Sequence, residues 1–377
     1  MRELRDYLKF LAARILTPSR SLKDWEAKNF HLQKVQLPNS KLTKDLEKLC
    51  LEKGGTLTFG EFITEEMCGK NGFYNTHRDF GKTIVNKVWP QAIFNFCQEN
   101  SLNLIVEVGS GDGSLGKEVL KLAKKRKVKL NWTGIEINRS LWKKIQKNKP
   151  QNFVLLKSAA ELNLQKNLTI FAYSLDSMPN EVIVNNAMLG VKIANGILEE
   201  VLLSENNLKR RGILFKDGIF RTKNYTFDFS AWILHQNQRA YIPINGFLVI
   251  LDYVKKMEAS SKILIIDEMK PSPHSASTYH LATPRILNSR IRDYETLEAA
   301  YKNTGNNLWY FPMYLKPLAG FLKELGFTKI KHDGEMRTAA KLKGEELENI
   351  GPDLCKAVSA SFLTAVSKNS FKIPFPF

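Results

Sequence analysis

A glycine-rich stretch at residues 106–115 has the residue types and spacing best suited to chemistry in this sequence. Glu107 precedes three alternating glycines, Gly109, Gly111 and Gly113. Glycine lets the backbone turn sharply and lets a ligand approach closely, because no Cβ intervenes. A pyrophosphate-binding fingerprint needs another glycine three residues after the second one, and Ser114 occupies that position. The carboxylate of Glu107 is instead suited to a cationic amino group.

A second acidic residue, Glu136, lies 23 residues beyond Gly113 (136 − 113) in the next predicted strand. An acidic side chain at this place in an open α/β fold takes the hydroxyls of a ribose. A nucleoside that carries an amino-acid tail and no phosphate meets both demands. The sequence therefore predicts S-adenosylmethionine as the cofactor, with Ala159 and Ala160, after the third predicted strand, in contact with the adenine.

Three aspartates are candidates for the catalytic part of the site. Asp176 follows the fourth predicted strand, at the end where open α/β sheets place their ligands. Its carboxylate is able to orient or deprotonate an acceptor nitrogen, or to pair with a guanidinium, while a helix cap or a loop carboxylate is the alternative. Asp79 and Asp267 are further candidates. The six histidines show no metal-ligand spacing, so we predict no metal site.

The elements that must position these residues are short β-rich runs alternating with amphipathic helices, the pattern of an α/β fold. After residue 115, apolar residues recur at the spacing of one helix face. We predict a Rossmann-like, mostly parallel sheet, closed by an antiparallel hairpin of residues 328–331 and 361–366. The predicted parallel strands are residues 104–108, 132–137, 153–156, 168–173 and 262–267.

The chain divides, on this pattern, into an N-terminal helical region over residues 1–100 and a cofactor-binding domain over residues 101–377. Residues 180–260 and 270–310 exceed ordinary crossover lengths, and we interpret them as helical insertions that shape the substrate site. The first sixteen residues favour a basic amphipathic helix, with a mitochondrial presequence as the alternative.

The composition limits the classes of partner. Among 377 residues, 56 Lys and Arg against 38 Asp and Glu give a formal charge of +18. Such a surface attracts RNA, DNA, an anionic membrane or an acidic protein, and a solvated lysine-rich surface is the alternative. The apolar runs are too short for a membrane span. Four scattered cysteines favour reduced thiols and the cytoplasm, with the mitochondrial matrix as the alternative.

Several motifs together resemble the MidA-like S-adenosylmethionine-dependent methyltransferases, a family with a protein-arginine methyltransferase among its members. The resemblance runs from about Leu57 to Glu268. It rests on the predicted helical segment of residues 57–62, on the aromatic motif Gly72-Phe73-Tyr74, and on Arg78-Asp79-Phe80. It also includes the turn from Glu107 to Gly113, the acidic Glu136, and the stretch from Ala172 to Pro179.

The resemblance implies a class I methyltransferase that acts on a nitrogen of a protein substrate, plausibly arginine. Two residues depart from the family pattern, since Ala172-Tyr173 stand where its members carry Asn-Glu. A non-catalytic assembly factor that retains the cofactor fold is therefore a second hypothesis. The charge keeps an RNA methyltransferase as a third, although no motif supports a nucleic-acid substrate. The sequence leaves the oligomeric state open.

Overall fold

The computed structural model describes most of the chain in fourteen stretches, which hold ten helices and nineteen strands. These are residues 31–77, 88–148, 150–158, 161–162, 166–172, 174–175, 177–223, 225–230, 239–258, 260–270, 285–288, 296–311, 313–334 and 360–367.

The first described region alternates short strands with helices, and the first two of these helices have capped starts. The Ser40 side chain accepts a hydrogen bond from the Thr43 N–H, and Thr58 and Glu61 form a reciprocal capping box. The elements are β1 (Lys34–Gln36), α1 (Lys41–Glu52), β2 (Leu57–Thr58), α2 (Phe59–Cys68), α3 (Phe73–Thr76) and α4 (Val88–Glu99). The prediction of a helical N-terminal region was thus wrong for β1 and β2, which are too short to show a strand periodicity.

The next region holds the predicted alternation of strands and helices. Its elements are β3 (Leu104–Val108), α5 (Ser114–Lys125), β4 (Asn131–Ile135), α6 (Arg139–Asn148), β5 (Phe153–Leu156) and β6 (Leu168–Ala172). The apolar stripe of α5 is buried at Leu115, Val119 and Ala123, as its spacing predicted. The four strands lie within two residues of their predicted bounds.

Residues 180–260 were predicted to be helical, and this prediction was wrong. Three hairpin turns make this region mostly β. Their turn residues have positive φ and are Asn185 and Asn186, Asn195 and Gly196, and Asp217 and Gly218. Such Asn and Gly pairs are strong hairpin signals that the sequence reading passed over. The elements are β7 (Glu181–Val184), β8 (Ala187–Ala194), β9 (Ile197–Leu202), α7 (Glu205–Arg210), β10 (Ile213–Lys216), β11 (Ile219–Thr222), β12 (Thr226–Asp228), β13 (Ala240–Ile242) and α8 (Ile244–Val254).

The last region contributes the fifth parallel strand and the closing hairpin. Its second predicted insertion, residues 270–310, holds two strands and a short helix among the described residues. The elements are β14 (Lys262–Lys270), β15 (Arg285–Asn288), α9 (Leu297–Tyr301), β16 (Asn307–Tyr310), β17 (Met313–Tyr314), α10 (Leu315–Glu324), β18 (Phe327–Gly334) and β19 (Ala360–Ser367).

The core sheet has the strand order β18-β19-β14-β6-β3-β4-β5, and β17 pairs with β14 at its end. The five strands from β14 to β5 are parallel, and β19 runs antiparallel to both β14 and β18. The predicted class I methyltransferase fold, with a mostly parallel sheet and a closing antiparallel hairpin, is confirmed. Because β3 is central, the turn that follows it lies in the middle of the carboxyl edge of the sheet.

A second sheet joins the N-terminal region to the first insertion. Its order is β1-β9-β8-β7-β13, with β2 paired to β8, and its pairings are antiparallel. Residues 34–58 and 181–242 therefore share one sheet across the boundary predicted at residue 100. The division of the chain at that residue stays a prediction.

Three apolar clusters fill the interior. Alternate residues of β3 point to opposite faces of the core sheet, so Val106 packs toward α8 and α10 while Ile105 packs toward α4 and α5. The third cluster lies between the second sheet and α1, α2 and α9, around Phe59, Phe62 and Trp309. The core sheet is thus buried on both faces, as a parallel sheet requires.

Candidate functional site

The glycine-rich turn after β3 adopts a conformation that favours glycine at three positions. Gly109, Gly111 and Gly113 have φ angles of +72°, +56° and +74°. A Cβ on Gly109 would also lie 2.9 Å from the Cβ of Ser174, so this position lacks space as well as a suitable φ. Helix α5 begins directly after Gly113. The turn therefore forms a tight cradle between β3 and α5, at positions where glycine is favoured.

Glu136 lies directly after β4 and reaches this turn. Its Oε2 accepts a hydrogen bond of 2.8 Å from the Gly111 N–H, and its Oε1 accepts one of 2.7 Å from the Asn138 N–H. Burial raises the pKa of Glu136 to about 7, although the backbone donors of Asn138, Gly111 and Ile137 oppose the shift. The structure thus brings together the acidic residue and the glycines that the sequence predicted as one site.

Glu107 lies below the turn, within the apolar layer between the core sheet and the helices. Its side chain is completely buried, and its Oε2 accepts a hydrogen bond of 3.1 Å from the indole N–H of Trp132. Its Oε1 is buried without a hydrogen-bond partner among the described residues. Burial raises the pKa of Glu107 well above its usual range, Asp112 and Glu136 raise it further, and Trp132 opposes the shift.

Asp267 is completely buried near the carboxyl end of β14, the strand beside β6. Its Oδ2 accepts a hydrogen bond of 2.8 Å from the backbone N–H of Leu175. This bond joins β14 to the loop that follows β6 and carries Asp176. Asp267 therefore contacts the start of that loop, and its catalytic role stays a prediction.

Four of the predicted site residues lie outside the described residues. These are the adenine candidates Ala159 and Ala160 and the catalytic candidates Asp79 and Asp176. The residues that flank Ala159–Ala160 and Asp176 are described. Ser158 and Glu161 flank the first pair, and Leu175 and Ser177 flank Asp176.

Sequence reasoning missed Ser174, whose side chain faces the glycine turn. Ser174 is nearly buried, and its Oγ has no hydrogen-bond partner among the described residues. Its Cβ fills the space that Gly109 leaves. Its position after β6, at the carboxyl edge of the sheet, was the one signal that the sequence offered.

Asn138 and Trp142 were also missed, and both surround Glu136. The Trp142 indole N–H donates to the Glu136 carbonyl oxygen over 2.8 Å, and the Asn138 amide donates to the Tyr74 carbonyl oxygen over 3.4 Å. The Lys157 ammonium lies 5.1 Å from the centre of the Trp142 ring. Through Tyr74, the N-terminal region comes into contact with the site, as its aromatic Gly72-Phe73-Tyr74 motif allows.

Glu181 anchors the N-terminal region beside the loop that follows β6. It is buried and accepts hydrogen bonds from the Thr58 hydroxyl over 2.9 Å and from the Gly60 N–H over 3.1 Å. A Cβ on Gly60 would lie 2.5 Å from Glu181 Oε1, so glycine is needed for this approach. The Asn245 amide donates to the Pro179 carbonyl oxygen over 2.8 Å. Three separate segments therefore meet beside the loop that follows β6.

The site as a whole is acidic and holds no cluster suited to a metal ion among the described residues. Glu107, Asp112 and Glu136 lie close enough to raise the pKa of Glu107 by mutual repulsion. A cationic ligand would relieve this repulsion, and an anionic ligand would increase it. No helix in the described part of the chain is long and apolar enough to cross a membrane.

The fold is similar to that of two solved structures from Burkholderia thailandensis. One is an uncharacterized COG1565 superfamily protein with 11% identity and a TM-score of 0.61, aligned over 88% of this chain and 95% of that chain. The other is a COG1565 superfamily member and likely methyl transferase bound to S-adenosyl-homocysteine. It has 12% identity and a TM-score of 0.62 over the same shares of the two chains. Neither a protein-family model nor a curated protein matches the sequence.

Proposed function

We propose that the chain is an S-adenosylmethionine-dependent methyltransferase of the MidA-like type, which methylates an arginine-like nitrogen of a protein. The observation that carries the proposal is the hydrogen bond from the Gly111 N–H to the Glu136 carboxylate. It places an acidic group at the mouth of a glycine turn on the central strand. The solved structure bound to S-adenosyl-homocysteine has the same fold and supports the proposal.

The residues present fit this cofactor better than a dinucleotide. A phosphate-binding turn offers its backbone N–H groups to the ligand. Here the Gly111 N–H already donates to Glu136, and that carboxylate would repel a phosphate. The same carboxylate retains lone pairs that are able to accept hydrogen bonds from ribose hydroxyls. The acidic pair of Glu107 and Glu136 suits the positive charges of S-adenosylmethionine.

Each group of residues has a separate task in the proposed mechanism. The cofactor, when bound, supplies an electrophilic methyl group on a sulfonium. Gly109, Gly111, Gly113 and Glu136 hold the nucleoside and the amino-acid tail, with Ala159 and Ala160 beside the adenine. Glu107 lies beneath the turn and completes the cofactor-binding set. The protein then needs to place the acceptor nitrogen in line and to exclude water.

Asp176 orients the acceptor nitrogen in this proposal, and Asp79 is a second acidic residue for the same task. Asp267 acts through the loop, because its carboxylate holds the backbone N–H next to Asp176. A carboxylate suits an arginine acceptor, since it pairs with the guanidinium in a defined orientation. We place the reaction in the cytoplasm, and the mitochondrial matrix is the alternative compartment.

A non-catalytic assembly factor is the second candidate function, and a specific observation favours it. Ala172 is the last residue of β6 and stands where the resembling family carries Asn. Its methyl group provides no polar contact to a substrate at the carboxyl edge. An RNA methyltransferase is the third candidate, and it rests on the charge of +18 alone.

Calorimetry with S-adenosylmethionine tests the cofactor assignment directly. Wild type is expected to bind, and Gly111→Arg is expected to lose binding, because a side chain at φ +56° strains the turn and fills the cradle. Gly212→Arg is the matched control. That glycine also has a positive φ, of +68°, and a Cβ there meets nothing within 4 Å. Equal binding by Gly111→Arg and wild type would show the assignment to be wrong.

Incubation with methyl-labelled cofactor and a cell lysate then separates the candidate functions. A labelled protein that yields methylated arginine on hydrolysis supports the main proposal. Labelled RNA supports the third candidate. Cofactor binding without any labelled product supports the assembly factor.

A further inference from the structure

Basic side chains cluster at the amino edge of the core sheet, which is the edge opposite the glycine turn. Parallel strands begin at the same edge, so the connections that enter β4, β5, β6 and β14 meet there. Helices α5, α6 and α8 also end at this edge, because each leads directly into one of these strands. Helix α10 ends there too, because it leads into β18, whose first residue Phe327 pairs with Ser367 of β19. The neighbouring Val366 pairs with Lys262, the first residue of β14.

The charge at this edge is strongly one-sided among the described residues. The basic side chains on these helix ends and connections, which we call the basic edge, are Lys124, Lys125, Arg126, Lys127, Lys129, Lys147, Lys166, Lys255, Lys256, Lys262 and Lys323. The acidic side chains among them are Glu99, Asp252, Glu258 and Glu324. The five basic residues from Lys124 to Lys129 are all exposed.

We propose that the basic edge is a docking surface for an anionic lipid bilayer. Its side chains come from four helix ends and the adjoining connections at one edge of the core sheet, which suits contact with a membrane surface. Lysines near an anionic membrane surface each contribute about a fivefold increase in partitioning. No described helix spans a membrane, so the contact is peripheral.

The composition of the basic edge favours a lipid surface over a nucleic acid or a protein. Ten of its eleven basic residues are Lys, and one is Arg, the residue whose planar fork is preferred for recognition of nucleic acid. The nearby aromatic residues, Trp132, Phe153, Tyr253 and Phe327, are buried and provide no stacking surface for bases. Protein interfaces are enriched in exposed aromatics and depleted in Lys, and the basic edge is the reverse.

The orientation that follows leaves the candidate site accessible. The central strand β3 has five residues, so the two edges of the sheet are roughly 17 Å apart at about 3.3 Å per residue. Glu136 and the glycine turn lie at the far edge. A molecule bound to a bilayer through the basic edge therefore presents its site toward the solvent.

Vesicle co-sedimentation of the full chain tests the docking surface. We expect binding to vesicles of phosphatidylcholine with about 30% phosphatidylglycerol, little binding to phosphatidylcholine alone, and release at about 0.5 M NaCl. The variant Lys124→Glu/Lys125→Glu/Lys127→Glu is expected to bind roughly a hundredfold more weakly. Its three side chains are exposed, so circular dichroism is expected to show an unchanged fold.

The matched control is Lys44→Glu/Lys192→Glu/Lys216→Glu, which changes the net charge equally at exposed positions away from the basic edge. Its binding is expected to stay within about threefold of wild type, because surface charges act over about one Debye length. Equal weakening of both variants would overturn the proposal, as would equal binding to the two kinds of vesicle. Displacement from anionic vesicles by duplex RNA or polyglutamate at equal charge concentration would also overturn it, in favour of those partners.

Discussion

The carboxylate of Glu136 accepts a hydrogen bond of 2.8 Å from the backbone N–H of Gly111, 25 residues earlier in the chain. The bond ties the end of β4 to the turn after β3, the two central strands of the site. It also takes up a backbone donor that a phosphate-binding turn would present to its ligand. One hydrogen bond thus links the end of β4 to the backbone of the glycine turn.

Cofactor affinity is expected to depend on pH through Glu136. Its pKa is raised to about 7, so the carboxyl is mostly protonated at pH 6 and mostly ionised at pH 8. Because the ionised form attracts a cation, S-adenosylmethionine should bind about tenfold more tightly at pH 8 than at pH 6.

Calorimetry of Glu136→Gln at both pH values checks this expectation. The variant should bind at least tenfold more weakly than wild type at pH 8, and most of the pH dependence should be absent. Glu118→Gln, at an exposed position on α5, is the control. Titration of the ligand itself affects wild type and both variants equally. A wild-type pH dependence that survives in Glu136→Gln would contradict the role of this carboxylate.

Gly109→Ala is expected to destabilise the protein and to abolish cofactor binding. The added Cβ has both an unsuitable φ of +72° and a contact at 2.9 Å with Ser174. Chemical denaturation should show a loss of about 2–4 kcal/mol.

Gly212→Ala separates the effect of the φ angle from that of the close contact. Gly212 has φ +68°, and a Cβ there meets nothing within 4 Å. This control should lose only about 1 kcal/mol, the cost of the φ angle alone. The double variant Gly109→Ala/Ser174→Gly should recover part of the stability. If the two single alanine variants are equally stable, the close approach of Ser174 has no energetic weight.

Asp267→Ala is expected to lower kcat far more than it changes the affinity for the cofactor. The substitution leaves the Leu175 N–H without its acceptor in a buried site and releases the loop that carries Asp176. The lost acceptor should cost about 1–3 kcal/mol of stability.

Steady-state kinetics with the identified substrate, alongside urea denaturation, tests this role. Asp228→Ala is the control, since that exposed carboxylate also accepts a backbone N–H, from Ser230 over 2.8 Å. Asp267→Asn retains an acceptor oxygen and should restore part of kcat. A loss of stability with kcat unchanged would show that Asp267 has a structural task only.

The stability of the protein is expected to fall as the pH rises from 5 to 8. Burial raises the pKa of Glu66 to about 8 and those of Glu136 and Glu181 to about 7. A carboxyl group whose pKa is higher in the folded than in the unfolded state stabilises the folded state. This contribution is complete at pH values below the pKa of the unfolded state. That contribution is lost as the pH rises through the folded pKa, by about 1.4 kcal/mol per pH unit for each group.

Urea denaturation at each pH unit measures this slope, and Glu66→Gln isolates one group. Glu66 accepts hydrogen bonds from Gly305, Asn307 and Trp309, so the variant should start less stable but lose less between pH 7 and 8. Glu52→Gln, on the exposed end of α1, should keep the wild-type slope. An identical slope in Glu66→Gln would exclude Glu66 as a source of the pH dependence.

The local part of the fold was predictable from the sequence. The apolar runs of β3, β5 and β6 and the apolar stripe of α5 are short-range patterns, and each lies within a single element. The turn from Glu107 to Gly113 was recognisable for the same reason, since its glycines and its acidic neighbour are adjacent in the chain. Glu136 was predictable from its distance to the glycine turn, because it lies in the next strand of the same strand–helix–strand unit.

The tertiary structure alone decided which distant groups meet. Nothing local in the sequence pairs Asp267 with Leu175, Glu181 with Thr58, or Ser174 with Gly109, because each contact depends on how the strands are ordered. The second sheet was missed for the same reason. Its short strands β1 and β2 gain their hydrogen bonds from partners that are more than 120 residues away.

The sequence by itself determined the glycine turn, its acidic neighbours, the parallel strands and the excess of positive charge. Only the tertiary structure decided that Glu107 is buried under the turn, that Asp267 holds a loop, and that the lysines meet at the far edge. The reason is physical. Side-chain periodicity is a property of neighbouring residues, whereas burial and strand pairing are set by the whole chain.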